Sequence, residues 1–439
     1  MSPANQGLAV GIATEATVTA ERSDSGKSDV AARQLLRNRD FALLWIGQLL
    51  SQIGDQCLIV AGITLVSDLS SSPLAMLIPA LAIAAPQLLF GLLGGVIADR
   101  MNRKVVMVIA DVLRGLIVLP ILLVTSLNQI WILYLAAGGL ALVGVSFYPA
   151  RNASLPKIVP EDSLVTANGL IQGSTVIALV VGPAIAGVAV ELWLPSAILI
   201  DSGTFLVSAI LIAAMTIPGR DRILPLAHGD ADVWGDVKAG VQFIYRSSVL
   251  RRAILLTAVA TLGVAAVILL AIPHLRATLG AGGFEYGLAM SVLGVGSLLG
   301  GVIVTRLSRR FSTSTLVGGM LVLAGVAIVA FAYAPSYAVV LASVAAIGMC
   351  LVVARGTLNA ITQALAPDEI RGRVQSAVSL IVVAATAVSE GLAAVVGSLI
   401  PVQTVFVAAG VITCATGLAT VFVLQSSTGV VRAAVAELG

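Results

Sequence analysis

Between residues 38 and 425 the chain alternates long apolar runs with short polar connections. The runs fall at roughly 41–66, 74–98, 105–126, 129–150, 165–190, 195–217, 252–273, 284–304, 314–333, 337–358, 375–399 and 402–424. A helix needs about 20 largely apolar residues to cross about 30 Å of hydrocarbon, so every run is long enough to span. In hydrocarbon a continuous helix satisfies its own backbone, which an isolated strand or loop cannot do. The pattern predicts an all-α polytopic membrane protein with twelve transmembrane helices.

The longest internal connection, 218–251, divides the runs six and six. Within it Val233, Val237, Val241, Ile244 and Tyr245 recur at helical spacing, which predicts an amphipathic helix lying on the membrane interface. The two sets of six are related. Gly-Gly-Val-Ile-Ala-Asp-Arg-Met-Asn-Arg-Lys at 94–104 returns as Gly-Gly-Val-Ile-Val-Thr-Arg-Leu-Ser-Arg-Arg at 300–310, each after the second run of its set. Pro149-Ala150-Arg151 with Pro160-Glu161-Asp162 is echoed by Val353-Ala354-Arg355 with Pro367-Asp368-Glu369, each after the fourth run. Two halves in the same order and orientation imply a pseudo-two-fold axis along the membrane normal. The expected division is a polar N-terminal tail (1–36), a six-helix bundle (37–217), a linker (218–251), a second six-helix bundle (252–425) and a tail (426–439).

Composition agrees with the pattern. Of 439 residues 58% are hydrophobic and only 11% charged, against about 25% charged in soluble domains, and the mean hydropathy is +1.04. The net charge of +3 is no nucleic-acid signal, because the basic residues sit in loops beside apolar runs. Alternate connections carry Arg100, Arg103 and Lys104; Arg151 and Lys157; Arg306, Arg309 and Arg310; and Arg371 and Arg373. On the opposite side only Arg276 is basic. The positive-inside rule makes the basic side cytoplasmic, with both termini there and a multi-pass placement in the inner (plasma) membrane. The first 33 residues lack an apolar signal segment and read as a disordered cytoplasmic tail. Cys57, Cys350 and Cys414 all lie inside apolar runs and read as packing residues, and with two histidines there is no metal-ligand spacing.

The connection between the second and third runs, Gly95-x-x-x-Asp99-Arg100-x-x-Arg103-Lys104, resembles the most recognisable motif of the major facilitator superfamily, across essentially residues 38–425. Asn102 stands where that family usually has Gly, and Asn tolerates a left-handed turn. Finer segments are similar to the branch that holds enterobactin exporters and macrolide efflux proteins: Arg37-Asn38-Arg39-Asp40-Phe41, Leu44-Trp45-x-Gly47-Gln48, Ser51-x-x-Gly54-Asp55, Ala110-Asp111-Val112-Leu113-Arg114 and Tyr148-Pro149-Ala150-Arg151. Gly182-Pro183-Ala184-Ile185-Ala186-Gly187 in the fifth run is similar to the antiporter motif of the superfamily. The resemblance implies the major facilitator fold, two six-helix bundles that rock about a central site, and a cytoplasmic latch made by the loop motif.

An ionisable side chain in mid-membrane costs about 2.5–3.5 kcal/mol on insertion scales, so each asks for a reason. Gln48, Gln52 and Asp55 share one face of the first helix, a polar stripe expected to face a watery cavity, where Asp55 could exchange a proton or meet a cationic substrate; a structural carboxylate capped by a neighbouring helix is the alternative. Glu390 lies well inside the eleventh run with no basic residue within a turn, which favours a protonatable or substrate-facing group, although a partner on another helix would also explain it. Asp111 and Arg114, three apart, can pair along the third helix, with Arg114 as a substrate contact the alternative. Asp201, nearer the outer end of the sixth run, reads as structural. Gly182-Pro183 either bends the fifth helix or serves close packing.

No Gly-x-x-x-x-Gly-Lys-Ser/Thr is present and no covalent catalytic constellation, so the expectation is a transporter that is not an enzyme, needs no cofactor and draws on an ion gradient, with the proton leading, or on the substrate's own gradient. Expected partners are a small-molecule or lipid-like substrate, protons and membrane lipids, with a monomer sufficing. Proton-coupled export of small, largely hydrophobic molecules leads; lysophospholipid transport and proton-coupled nutrient import are the alternatives.

Overall fold

The computed structural model describes residues 32–70, 72–90, 101–217, 233–367 and 370–425, and every regular element among them is helical. The first half holds α1 (Arg39–Leu69), α2 (Leu74–Phe90), α3 (Arg103–Val118, continued by a 3-10 turn over Leu119–Leu123) and α4 (Trp131–Ile158). A run over Leu164–Ala213 follows, broken at Trp193 (φ −172°, ψ 104°) into α5 (164–192) and α6 (194–213). After α7 (Val233–Arg246) come α8 (Ser248–Leu279), α9 (Gly283–Arg310), α10 (Thr313–Ala332), α11 (Tyr337–Leu365), α12 (Arg371–Leu399) and α13 (Val402–Gln425). Ten helical segments are long and apolar enough to span a membrane; one of them, Glu161–Ala213, is the broken pair, and Leu74–Phe90 is a shorter apolar helix. Because the apolar run of α2 continues in sequence to residue 98, the twelve-span arrangement follows.

Local chemistry sets the helix ends. Asn38 accepts hydrogen bonds from the Asp40 and Phe41 amides at the start of α1, and its own amide donates to the Ile158 carbonyl (2.9 Å). Asn102 does not adopt the left-handed turn expected of it. It has φ −61° and caps α3 by accepting from the Val105 amide (3.1 Å), a task Gly lacks the side chain to perform. Gly280, at φ +64°, ends α8 in the left-handed conformation that suits glycine, and the chain turns at once into α9.

The two halves pack by the same scheme. In the first, α1 lies against α5 and α6, α2 against α4, and α3 against α4 and α6; in the second, α8 lies against α12 and α13, α9 against α11, and α10 against α11 and α13. Between halves, α5 meets α9 and α2 meets α12. Exchanging the halves turns one of these contacts into the other, as a two-fold axis requires.

The packing differs between the two ends of the molecule. At the end away from the termini, one continuous apolar cluster joins both halves, with Val60, Leu65 and Ala186 beside Val264, Leu270 and Phe406. Toward the terminus-bearing end the clusters separate: Phe41, Met107, Phe147 and Ile212 in the first half, and Val317 with Ile361, and Ile254 with Val374, in the second. Among the described residues, the buried apolar cluster crosses both halves at the far end, and toward the terminus-bearing end each cluster stays within one half.

The linker helix α7 exists as expected, but it buries a different side. Ile244 is buried against α8 and α12, and a Cβ on Gly240 would stand 2.5 Å from the Arg373 carbonyl oxygen, while Val241 and Tyr245 stay exposed. Its apolar stripe is divided between the second bundle and the surroundings, because close docking through glycine outweighs the wider Val/Tyr face.

Candidate functional site

The polar side chains buried in the first bundle converge between α1, α3, α4 and α6. Arg114 of α3 is its centre. Its guanidinium stands 3.7 Å from Asp111 and lies over the rings of Phe147 (4.7 Å), Phe205 (5.5 Å) and Tyr148 (5.7 Å), a setting that suits a planar delocalised cation. Gly144 makes the room: a Cβ there would stand 2.9 Å from Nη2 of Arg114. Asp111 also accepts a 2.6 Å hydrogen bond from the Ser208 hydroxyl of α6. The expected pairing of Asp111 with Arg114 is thus present, and both are buried rather than on the helix surface.

Asp55 and Asp201 complete the cluster, and both act electrostatically with Arg114. Asp55, in the middle of α1, is half-buried and has no hydrogen bond or ion pair among the described residues. Gln48 and Gln52, on the same face as Asp55, each reach a neighbouring helix. Gln48 is buried and accepts from Arg151 (3.2 Å), and Gln52 donates to Ser174 of α5 (3.3 Å), so neighbouring helices satisfy the stripe below Asp55. Asp201 lies deeper than its place near the outer end of the sixth run suggests. A Cβ on Gly54 would come within 2.8 Å of its Oδ1, which sets it level with the middle of α1. Sequence position misleads here because α6 begins abruptly at the Trp193 break and descends antiparallel to α1. Tyr148, 47% exposed, lies under both Arg114 and Arg151; the run Tyr148-Pro149-Ala150-Arg151 was the signal for it.

The second bundle presents a plainer wall. Glu390 on α12 is half-buried with no ion pair among the described residues, and it belongs to the other half of the molecule from Asp55. Its neighbour Ser389 donates to the Leu262 carbonyl of α8 (2.6 Å), and Gly391 approaches Leu77 of α2. An apolar pocket between α8, α9, α10 and α11 is lined by Val264, Ile268, Tyr286, Leu293, Phe331 and Ile347.

The helix-five motif is an interface. Gly182 lies against Gln56 of α1, the Pro183 carbonyl against Gly287 of α9, and Gly187 within 3.0 Å (by its built Cβ) of the Phe284 carbonyl oxygen. Helical dihedrals continue through Pro183, and the glycines beside it pack closely against α1 and α9. In the loop motif, Gly95, Asp99 and Arg100 lie outside the described residues. Arg103 donates to the Ala153 carbonyl of α4 (2.8 Å), and Lys104 to the Met215 carbonyl just past α6 (2.8 Å). Both basic residues tie helix ends within one bundle.

Residues 31–432 match the family described as "Transmembrane secretion effector". The chain belongs to this family of major facilitator superfamily transporters. The transporter is 28% identical over 302 residues to the uncharacterized MFS-type transporter YfiS of Bacillus subtilis, covering 66% of this chain and 70% of that one. It is 30% identical to macrolide efflux protein A of Streptococcus pyogenes over 42% of this chain and 47% of the relative, and 26% identical to the multidrug efflux pump Tap of Mycolicibacterium fortuitum over 76% and 83%. In fold the transporter is similar to a bacterial homologue of the human lysosomal transporter Spinster (TM-score 0.65, 16% identity, 91% and 97% covered). It is also similar to a nucleoside transporter (TM-score 0.71, 13% identity, 88% and 99% covered).

Proposed function

We propose that this transporter exports small, largely hydrophobic molecules, such as drugs or siderophore-like metabolites, by proton antiport and alternating access in the inner membrane, with its basic, terminus-bearing end in the cytoplasm. The observation that carries this reading is the buried cluster of the first bundle: three carboxylates beside the guanidinia of Arg114 and Arg151, with Asp55 left unpaired and three aromatic rings at hand. A surplus of carboxylate over cation in a low-dielectric site favours a positively charged guest or a proton. Aromatic and aliphatic walls favour the apolar body of the same molecule. The divided packing at the basic end supports entry from the cytoplasm, and the names of the macrolide and multidrug efflux relatives point the same way. Asp55 is the leading group for substrate charge and coupling, and Glu390, in the other half, is a second candidate.

The test is accumulation of ethidium in cells lacking their own pumps, with and without a protonophore. Cells expressing the transporter are expected to hold several-fold less ethidium than vector controls, a difference that the protonophore abolishes and that Asp55→Asn loses while still reaching the membrane. Full export by Asp55→Asn would remove Asp55 from coupling. Equal accumulation in wild type and vector would replace broad drug export by a dedicated metabolite or a lysophospholipid.

A further inference from the structure

We propose that Asp201 is the proton-bearing group of the buried cluster, neutral in the conformation described, whereas Asp111 is held as an ion by its partners. This inference deepens the antiport reading and rests on it for its functional meaning, though not for its test.

Asp201 is fully buried, and neither of its carboxyl oxygens has a hydrogen-bond partner. An ionised carboxylate presents about four lone-pair sites and accepts only, so burial without a donor is tolerable only for the neutral acid. Each hydroxyl beside it is already engaged. Thr204 donates to the backbone carbonyl of Asp201 itself (2.8 Å), Ser202 to the Gly115 carbonyl (2.8 Å), and Ser208 to Asp111 (2.6 Å). Arg114 pairs with Asp111, and no cationic nitrogen among the described residues lies within 4.0 Å of Asp201. On the α1 side Gly54 faces the carboxyl and supplies no side-chain donor.

The ionisable groups that act on Asp201 or share its surroundings are Asp55 and Cys57 from α1, Arg114 and Asp111 from α3, and Tyr148 and Arg151 from α4. Asp55 is like-charged and disfavours a second anion; Arg114 is the only cation acting on Asp201. Arg151 of α4 shares the Tyr148 ring with Arg114, so with Asp201 neutral the carboxylates of Asp55 and Asp111 stand against two guanidinia. Release of the proton to water would leave three carboxylates against two guanidinia, and the Asp201 anion would need a donor that a shift of α1 against α6, or of Arg114 away from Asp111, has to bring.

The test is infrared spectroscopy of the purified full-length protein in lipid at neutral pH, following the carbonyl stretch of protonated carboxyl groups. The wild type is expected to show a component that disappears in Asp201→Asn, shifts in frequency in Asp201→Glu, and persists in Asp55→Asn, Asp111→Asn and Glu390→Gln. Absence of any protonated-carboxyl band in the wild type would overturn the proposal without recourse to a variant. So would a band that Asp201→Asn leaves unchanged, or one whose Asp201-sensitive component is lost in Asp111→Asn. The readout needs no substrate, so failure of ethidium export would remove the drug-export reading while leaving the protonation of Asp201 to be decided by the spectrum.

Discussion

At the scale of single residues, the buried cluster is held by few contacts, and Ser208 has the clearest part. Its 2.6 Å hydrogen bond satisfies Asp111 Oδ2, while Asp111 Oδ1 has only the longer approach of Arg114. Ser208→Ala leaves a buried carboxylate oxygen without its donor, and hydrogen bonds between membrane helices are worth about 0.6 kcal/mol on average and about 1.7 at most. A loss toward that upper limit is expected, seen as a lower unfolding temperature in detergent. An unchanged midpoint would mean that Asp111 draws its stabilisation from Arg114 alone. The same residues show how far side-chain chemistry is legible from sequence. Asp111 and Arg114 announce their pairing by helical spacing, but Ser208 lies on a helix 97 residues further on, and no pattern links it to them.

At the scale of helices, association inside a membrane depends on close van der Waals packing, because lipid is as apolar as the side chains it replaces. The α10–α13 contact is built on this. A Cβ on Gly325 would stand 2.5 Å from both Cys414 Sγ and the Gly410 carbonyl oxygen. Gly325→Val is expected to force the pair apart and cost about 1–3 kcal/mol of stability. Gly319 on the same helix meets nothing within 4 Å, so Gly319→Val should change stability by less than about 0.5 kcal/mol. Parallel thermal unfolding of the two variants checks the contrast; equal losses would show that helix propensity, not packing, decides. The segment Asn38-Arg39-Asp40 acts at the same scale by fastening helix ends: Arg39 donates to the Ala214 carbonyl (3.3 Å) and Asp40 accepts from the Thr216 amide (2.8 Å), beside the Lys104 bond to Met215.

At the scale of the whole molecule, the far end is closed across the two halves by apolar packing and by one ion pair. Asp68, at the end of α1, meets Arg276, near the end of α8, at 2.7 Å. Arg276 is the lone basic residue on its side of the sequence pattern, and this pairing is a sufficient reason for its place there. An exposed pair of this kind contributes little stability, typically below about 1 kcal/mol, so its interest lies in position. It joins the first helix of one half to the first helix of the other, and any opening at that end must part it. In a variant with Asp68→Cys and Arg276→Cys, a short bifunctional thiol reagent is expected to stop transport, whereas a monofunctional reagent leaves it running. Continued export by the cross-linked protein would mean that the two halves do not separate there.

The number of spans, the division into halves and the basic end follow from sequence because they depend on local physics: run length against bilayer thickness, and the charge carried by short loops. The repeat at 300–310 makes the symmetry legible for the same reason, since like segments make like helices. What the sequence left open is which face of each helix meets which neighbour. An apolar surface against lipid and one against another helix have the same composition, and the stripe of Gln48 and Gln52 does not reveal its partners, Arg151 of α4 and Ser174 of α5. Asp201 reads as peripheral when the Trp193 break returns α6 alongside α1 and brings it to the centre. Tertiary structure alone decided the site, because a buried carboxylate is defined by the donors it has or lacks: Ser208, 97 residues away in the chain, serves Asp111, and no donor among the described residues meets Asp201.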